Sequence, residues 1–219
     1  IGSSAASAAG TVAGINYLLG NPFTNKELIP FAMEGERLAC GSAHADNVAP
    51  ALLGGFTLVR DTNPLDICAL PTPLELVATV IHPKIEVKTA DARAVLKKRV
   101  TLEKAISQWG NVGALVSSLY EEDYDLLSRS LIDGIVEPTR AILIPHFSEL
   151  KAACKEAGAL GSGISGSGPS VFALSRGMPA ANKVAHAIQS VLEETNIPFD
   201  IHVSPVKKTG VSFIEDLLT

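Results

Sequence analysis

Residues 161–169 read Gly-Ser-Gly-Ile-Ser-Gly-Ser-Gly-Pro, four glycines and three serines in nine positions. Glycine loses more conformational freedom on folding than any other residue, so a run this dense marks a turn, a ligand or a close approach of backbone. Gly161, Gly163 and Gly166 also satisfy the pattern G-x-G-x-x-G. A dinucleotide-binding fold needs a strand before that pattern and a helix after it. Here the order is reversed. Phe147, Leu150, Ala153, Cys154 and Ala157 have helical spacing ahead of the run, and Ser170 to Leu174 reads as a strand. The dinucleotide reading is excluded, and the run is expected to be a loop between a helix and a strand.

A second run of small residues, Gly2-Ser3-Ser4-Ala5-Ala6-Ser7-Ala8-Ala9-Gly10, stands at the head of the chain. The chain opens inside it, on Ile1 with no preceding methionine, and so reads as a piece of a longer polypeptide. Ser3 or Ser4 is expected to cap a helix from Ala5 to about Leu19. The N-terminus of a helix carries about half a positive charge, and its free N–H groups suit a phosphate. The motif is not a Walker loop, because G-x-x-x-x-G-K-[ST] does not occur.

With 219 residues, 47% of them hydrophobic and 19% charged, the chain has the composition of a soluble globular protein of one large or two small domains. No apolar run reaches the ~18 residues of a membrane span. A net charge of −5 argues against a nucleic-acid groove. Lys97-Lys98-Arg99 and Lys207-Lys208 then read as solvated faces. Cys40, Cys68 and Cys154 are odd in number and lie in apolar neighbourhoods, which points to buried free thiols in a reducing compartment.

Thr24-Asn25-Lys26-Glu27 is a capping box opening a helix through Ile29, Phe31, Ala32 and Leu38, with Pro30 in its first turns. Gly41 to Pro50 is polar and turn-like. Strands are expected at Gly54–Arg60, Leu74–Ile81, Val171–Leu174, Phe199–Val203 and Val211–Ile214. Asp61-Thr62-Asn63-Pro64 is the candidate linker or hairpin between them. Thr89 caps a short helix carrying Arg93, two helices fill Thr101 to Leu131 with a break near Glu121–Asp123, and another runs from Ala180 to Glu194. Elements alternate without a regular β-α-β rhythm, which favours an α+β fold. Glu36, near a helix end, taken alone reads as a surface glutamate.

These runs resemble signatures of the GHMP kinases. Gly2-Ser3-Ser4-Ala5-Ala6-Ser7 is similar to the tail of that family's second signature, and Gly161 to Pro169 to its third. Within the superfamily the resemblance is to the homoserine kinase family and spans nearly the whole chain. Gly41-Ser42-Ala43-His44-Ala45-Asp46-Asn47-Val48-Ala49-Pro50 is similar to G-S-x-H-x-D-N-V-A-P, followed by Gly54-Gly55-Phe56. Thr89-Ala90-Asp91-Ala92-Arg93 looks like T-x-x-A-R. Glu137-Pro138-Thr139-Arg140 resembles E-P-x-R, with Thr139 where an aromatic is common.

The resemblance implies a two-domain architecture. Residues 1–65 would be the remainder of an N-terminal domain like ribosomal protein S5 domain 2, and residues 66–219 a ferredoxin-like C-terminal domain. It implies ATP-dependent phosphorylation of the L-homoserine hydroxyl in threonine biosynthesis, with Mg²⁺ as cofactor, a cytoplasmic location and a homodimer as candidate assembly. It assigns the substrate carboxylate to Arg93 and Arg140, since guanidinium holds carboxylate bidentately. Asn47 would hold the substrate hydroxyl, with Thr89 beside it, and His44 would contact substrate or shape the site. Gly2, Ser3 and Ser4 would bind phosphate, Gly163, Ser165 and Gly166 would shape the nucleotide site, and Ser4 and Glu36 would hold the metal. Alternatives are another GHMP small-molecule kinase, or a non-catalytic regulator or inactive fragment on the same scaffold. The paired arginines and the H-x-D-N element argue against the first, and the intact Ser4, Glu36 and Asn47 against the second.

Overall fold

Alanine spacing decides how the first helix packs. In a computed structural model, which describes residues 2–87, 92 and 94–214, helix α1 spans Ser3–Leu18 and buries Ala5, Ala9, Ala13 and Asn16. These positions recur every three or four residues, and their short side chains let neighbouring helices come close. Helix α2 (Ile29–Cys40) takes up that space: a Cβ added to Gly35 would lie 2.9 Å from the Ala8 Cβ. Helix α3 (Ala45–Leu53) buries Ala45, Val48, Ala49 and Leu52 against the same core. Strands β1 (Phe56–Thr62) and β2 (Leu65–Leu70) form an antiparallel hairpin behind α3.

Two local expectations change here. Ser3 and Ser4 lie inside the first turn of α1, and Gly2, at φ +56°, takes the capping position. The capping box forms, with the Thr24 N–H donating to Glu27 Oε2 at 2.8 Å and the Glu27 N–H to Thr24 Oγ1 at 3.3 Å. It closes a separate turn, however, and α2 starts only at Ile29, with Pro30 at its head where a missing N–H costs nothing.

Cα neighbours group the chain into two units, residues 1–72 with 207–219, and residues 73–206. A division at 65/66 would cut β2 from β1, because Asp61 and Thr62 pair with Asp66 and Leu65, and Asn63-Pro64 is the bend of a hairpin, not a linker. The C-terminal segment returns to the first unit. Val211 donates to the Ala51 carbonyl at 2.9 Å, Gly55 to that of Lys207 at 2.8 Å, and the Phe213 ring stacks on Tyr17 at 4.4 Å. Backbone meets backbone so closely at Gly54 and Gly210 that neither has room for a Cβ. Residues 211–214 therefore form a strap and not the expected strand.

The second unit contains strand β3 (Leu76–Pro83), helices α4 (Leu102–Glu121), α5 (Tyr124–Ser130) and the short α6 (Glu137–Arg140), a 3₁₀ turn (Ala141–Leu143), helix α7 (Phe147–Glu156), strands β4 (Gly161–Ile164) and β5 (Val171–Arg176), helix α8 (Met178–Glu193) and strand β6 (Phe199–Pro205). The four strands form one sheet in the order β4-β5-β3-β6, every neighbouring pair antiparallel. Val77, Thr79, Ile81 and Pro83 are buried on β3 while the residues between them are half-buried, the period-2 pattern of a strand covered on one face. Helices α7 and α8 supply that cover. Leu150, Cys154, Val184, Ile188 and Leu192 join Ile81, Val171 and Ala173 in one core. The fold is α+β, as the alternation of elements implied.

The glycine-serine run itself divides in two. Residues 161–164 are the edge strand β4, paired from Gly161↔Leu174 to Ile164↔Val171, and only 165–170 form the turn. The first two glycines serve packing. A Cβ at Gly161 would stand 2.6 Å from the Leu131 Cβ, and one at Gly163 would crowd Phe172 and Glu137 at 3.2–3.3 Å. Gly166, at φ +58°, belongs to the turn.

Candidate active site

In the first unit the small-residue run and the H-x-D-N element come together at the head of α1. The carboxamide oxygen of Asn47 lies 3.5 Å from where a Cβ on Gly2 would sit. A Cβ there would meet Asn47 only in ordinary contact; it is the positive φ of Gly2, +56°, that favours glycine at this position. No side chain caps α1 and no acidic residue stands in its first turn, so nothing within the helix offsets its positive end. Ser3 and Ser4 are exposed there, and Asn47 is exposed beside them.

Glu36 departs from the surface-glutamate reading, for it is only 5% exposed. It follows Gly35, which packs on Ala8, one turn along α1 from Ser4. Acidic side chains are rarely buried this deeply without a partner. His44 is half-buried at the capping position of α3, in extended conformation.

In the second unit Arg140 draws two motifs together. Its Nε donates to the Ala92 carbonyl at 3.1 Å, and its Nη1 to the Gly166 carbonyl at 2.7 Å. One guanidinium thus ties the T-x-x-A-R element to the glycine turn, and its other N–H groups are not used by these two bonds. The turn has its own frame: the Ser165 N–H donates to the Ser170 carbonyl at 2.8 Å, and the Gly168 N–H to that of Ser165 at 2.9 Å. Arg140, Gly163 and Gly166 line a cavity of about 300 Å³ with Asp133, Glu137 and Phe172. Glu137 is ion-paired with Lys151.

Thr89 and Arg93 lie outside the described residues. Three of the other histidines keep structural company: His82 Nδ1 lies 2.8 Å from Ser170 Oγ at the base of the glycine turn, His186 Nδ1 2.7 Å from the Asn182 carbonyl, and His146 beside Glu149. Among the described residues no three His, Cys, Asp or Glu side chains cluster for a metal, and no helix is long and apolar enough to cross a membrane. Cys68 and Cys154 are free, the first only partly buried. Burial pushes the Cys154 thiol up to about 11, which makes it unreactive at neutral pH. Sequence reasoning passed over Asp133 and Gln108 in the cavity wall, and Lys151 paired with Glu137. The Asp133-Gly134 pair was the available signal, since Asp-Gly marks a turn.

Family models match both units. That for the GHMP kinase N-terminal domain covers residues 1–55, and that for the GHMP kinase C-terminal domain residues 102–194. A homoserine kinase of Chlorobium phaeobacteroides is 52% identical over 98% of this chain and 68% of its own length. The chain belongs to the homoserine kinase family of GHMP kinases. The homoserine kinase of Chlorobaculum tepidum is 51% identical over 98% of the chain and 67% of its own. A crystal structure of homoserine kinase from Cytophaga hutchinsonii superposes with a TM-score of 0.89 at 56% identity, covering 93% of this chain and 66% of that one. The chain therefore spans about two thirds of the length of its homoserine kinase relatives. Mevalonate kinase of L. major, 17% identical with a TM-score of 0.74 over 96% of this chain and 67% of its own, shares the fold.

Proposed function

We propose that this protein phosphorylates the hydroxyl of L-homoserine with ATP, yielding O-phospho-L-homoserine for threonine biosynthesis. The observation that carries the reading, within a homoserine kinase family chain, is Asn47 set against Gly2 at the uncapped head of α1. A polyphosphate received by the N–H groups and hydroxyls of Ser3 and Ser4 would meet a carboxamide able to orient an alcohol. In the transfer, the substrate oxygen bonds to the γ-phosphorus as the bond to the ADP oxygen breaks, and the hydroxyl proton is released. Such a reaction is carried mainly by positioning and charge stabilisation. His44 is given substrate contact and not proton removal.

Arg140 is assigned the substrate carboxylate, together with Arg93, and Thr89 a place near the transferred group. Ser165 and Gly166 are assigned a place beside the nucleotide, and Gly163, packed on Phe172 and Glu137, would shape the wall behind them. The residues present fit Mg²⁺: one sheltered carboxylate, Glu36, and one hydroxyl, Ser4, suit an ion that takes one or two carboxylates and leaves its other positions to phosphate and water. When bound, the ion would neutralise charge on the phosphates.

A full-length protein assayed for ATP consumption with homoserine, mevalonate, galactose and shikimate in parallel is expected to turn over homoserine alone. Turnover of another acceptor without homoserine would reassign the substrate. No turnover of any would favour a regulator on a kinase scaffold.

A further inference from the structure

We propose that Asp133 is a positioning residue for Arg140, and so for the recognition of the substrate's anionic group; the inference rests on the assignment of Arg140 to the substrate carboxylate. Arg140 is carried by α6, a helix of only four residues. A turn this short does not hold itself, because fixing its backbone costs more than its few hydrogen bonds return. Val136, at the helix's capping position, offers no side-chain hydrogen bond. The order comes from upstream. Asp133 Oδ1 accepts from the Ile135 N–H at 2.9 Å and the Val136 N–H at 2.8 Å, and Oδ2 from the Glu137 N–H at 3.1 Å. A carboxylate collecting three backbone donors forms charge-assisted bonds and places negative charge at the positive end of the turn.

Asp133 is itself fixed from behind. Asn111 on α4 donates to the Ile132 carbonyl at 3.0 Å, and Gln108, one turn earlier, accepts from the Gly134 N–H at 3.0 Å. Beyond it, Thr139 Oγ1 donates to the Val136 carbonyl at 2.7 Å. A continuous chain of bonds thus runs from the long helix α4, through the Asp133 carboxylate, to the backbone that aims Arg140 at Ala92 and Gly166. Asp133, Glu137 and Arg140 face the same cavity. The Glu137–Lys151 pair anchors the side of α6, but the N–H groups of residues 135–137 answer to Asp133.

The test is steady-state kinetics on the full-length enzyme carrying Asp133→Ala, Asp133→Asn, Arg140→Ala and the double substitution of Asp133→Ala with Arg140→Ala. Asp133→Ala is expected to raise the homoserine KM about tenfold, the scale of one lost charge-assisted bond, with the ATP KM unchanged and kcat within about twofold. Asp133→Asn keeps an acceptor for the Ile135 and Val136 N–H groups and is expected to recover most of the loss. In the Arg140→Ala background, Asp133→Ala is expected to add less than about twofold, because its partner is gone. Equal rises in both KM values, or the full effect persisting without Arg140, would reduce Asp133 to a general stabiliser and overturn the proposal. So would an unchanged homoserine KM. Should Asp133→Ala fail to fold, Asp133→Asn decides, by a smaller rise confined to homoserine or none. An Arg140→Ala enzyme with normal homoserine KM would instead show that the assignment of Arg140 itself was wrong.

Discussion

The two units assemble their cores from different materials. Residues 73–206 set two helices on a four-stranded sheet and bury Ile81, Leu150, Val171, Val184, Ile188 and Leu192. Residues 1–72 with 207–219 build a core rich in alanine: Ala5, Ala9, Ala13, Ala32, Ala45 and Ala49, with Ile29, Val48 and Leu52 between them. Alanine allows close helix approach but removes little apolar area per residue. Several larger apolar side chains of that unit, among them Ile15, Leu18, Leu19, Phe31 and Leu38, stay exposed, although Ile29 and Leu52 are fully buried. Stability in the sheet-bearing unit should therefore depend on side-chain volume, and in the helical unit on closeness of backbone.

The largest effect is expected where volume rules. Ile188 is fully buried between α8 and the sheet, and Ile188→Ala leaves a cavity in a close-packed layer. Such truncations cost about 2–5 kcal/mol, read as a lowered midpoint in urea denaturation. A loss under about 1 kcal/mol would mean that the layer collapses to fill the gap, which close-packed interiors do poorly, and the contrast between the units would weaken.

Legibility in the sequence followed the same division. In the second unit the helical periodicities at 102–131, 147–156 and 178–193, and the strands at 171–176 and 199–205, lay close to where patterning put them. There each element has one buried face, which writes its period into the sequence. Strand β4 escaped because Gly-Ser-Gly-Ile has no side-chain alternation to read; its pairing with β5 defines it. Strand β2 escaped because Leu65-Asp66-Ile67-Cys68-Ala69-Leu70 mixes burial with exposure on a two-stranded ribbon. The 211–214 segment looked like a strand but pairs with no sheet edge among the described residues; it packs on Ala51, Tyr17 and the first unit's core. Among the candidate site residues, motif matching singled out Asn47, Glu36 and Arg140. It could not show that Gly2 faces Asn47, that Glu36 is sheltered, or that Arg140 is braced by two carbonyls, because all three depend on contacts distant in sequence.

An intermediate effect is expected where closeness rules. Alanine at position 35 would gain about 1 kcal/mol in helix propensity over glycine. The added methyl would, however, meet the Ala8 Cβ at 2.9 Å, a rigid neighbour with no rotamer to yield. Separating α1 from α2 is the available response, and overpacking of this kind costs about 1–3 kcal/mol. Gly35→Ala is therefore expected to destabilise the chain, and pairing it with Ala8→Gly to return part of the loss. Thermal unfolding of the two single variants and the double variant measures this coupling. A Gly35→Ala variant more stable than the parent would show that α1 and α2 part without cost, and that alanine spacing is not what sets their distance.

The smallest effect is expected at the exposed apolar side chains of the helical unit. Leu18 is 83% exposed at the end of α1, and Leu38 is 82% exposed on α2. Neither removes much apolar area from water in this chain, so Leu18→Gln and Leu38→Gln forfeit almost no transfer free energy. Surface substitutions without a lost cap, cavity or partner fall within about 0.5 kcal/mol. Denaturation midpoints for both variants should stay within that margin of the parent, against the several kcal/mol expected at Ile188. A cost above about 1.5 kcal/mol at either leucine would require that its side chain be covered in solution. The helical unit would then depend on covering these side chains as well, and the distinction between a core of volume and a core of closeness would weaken.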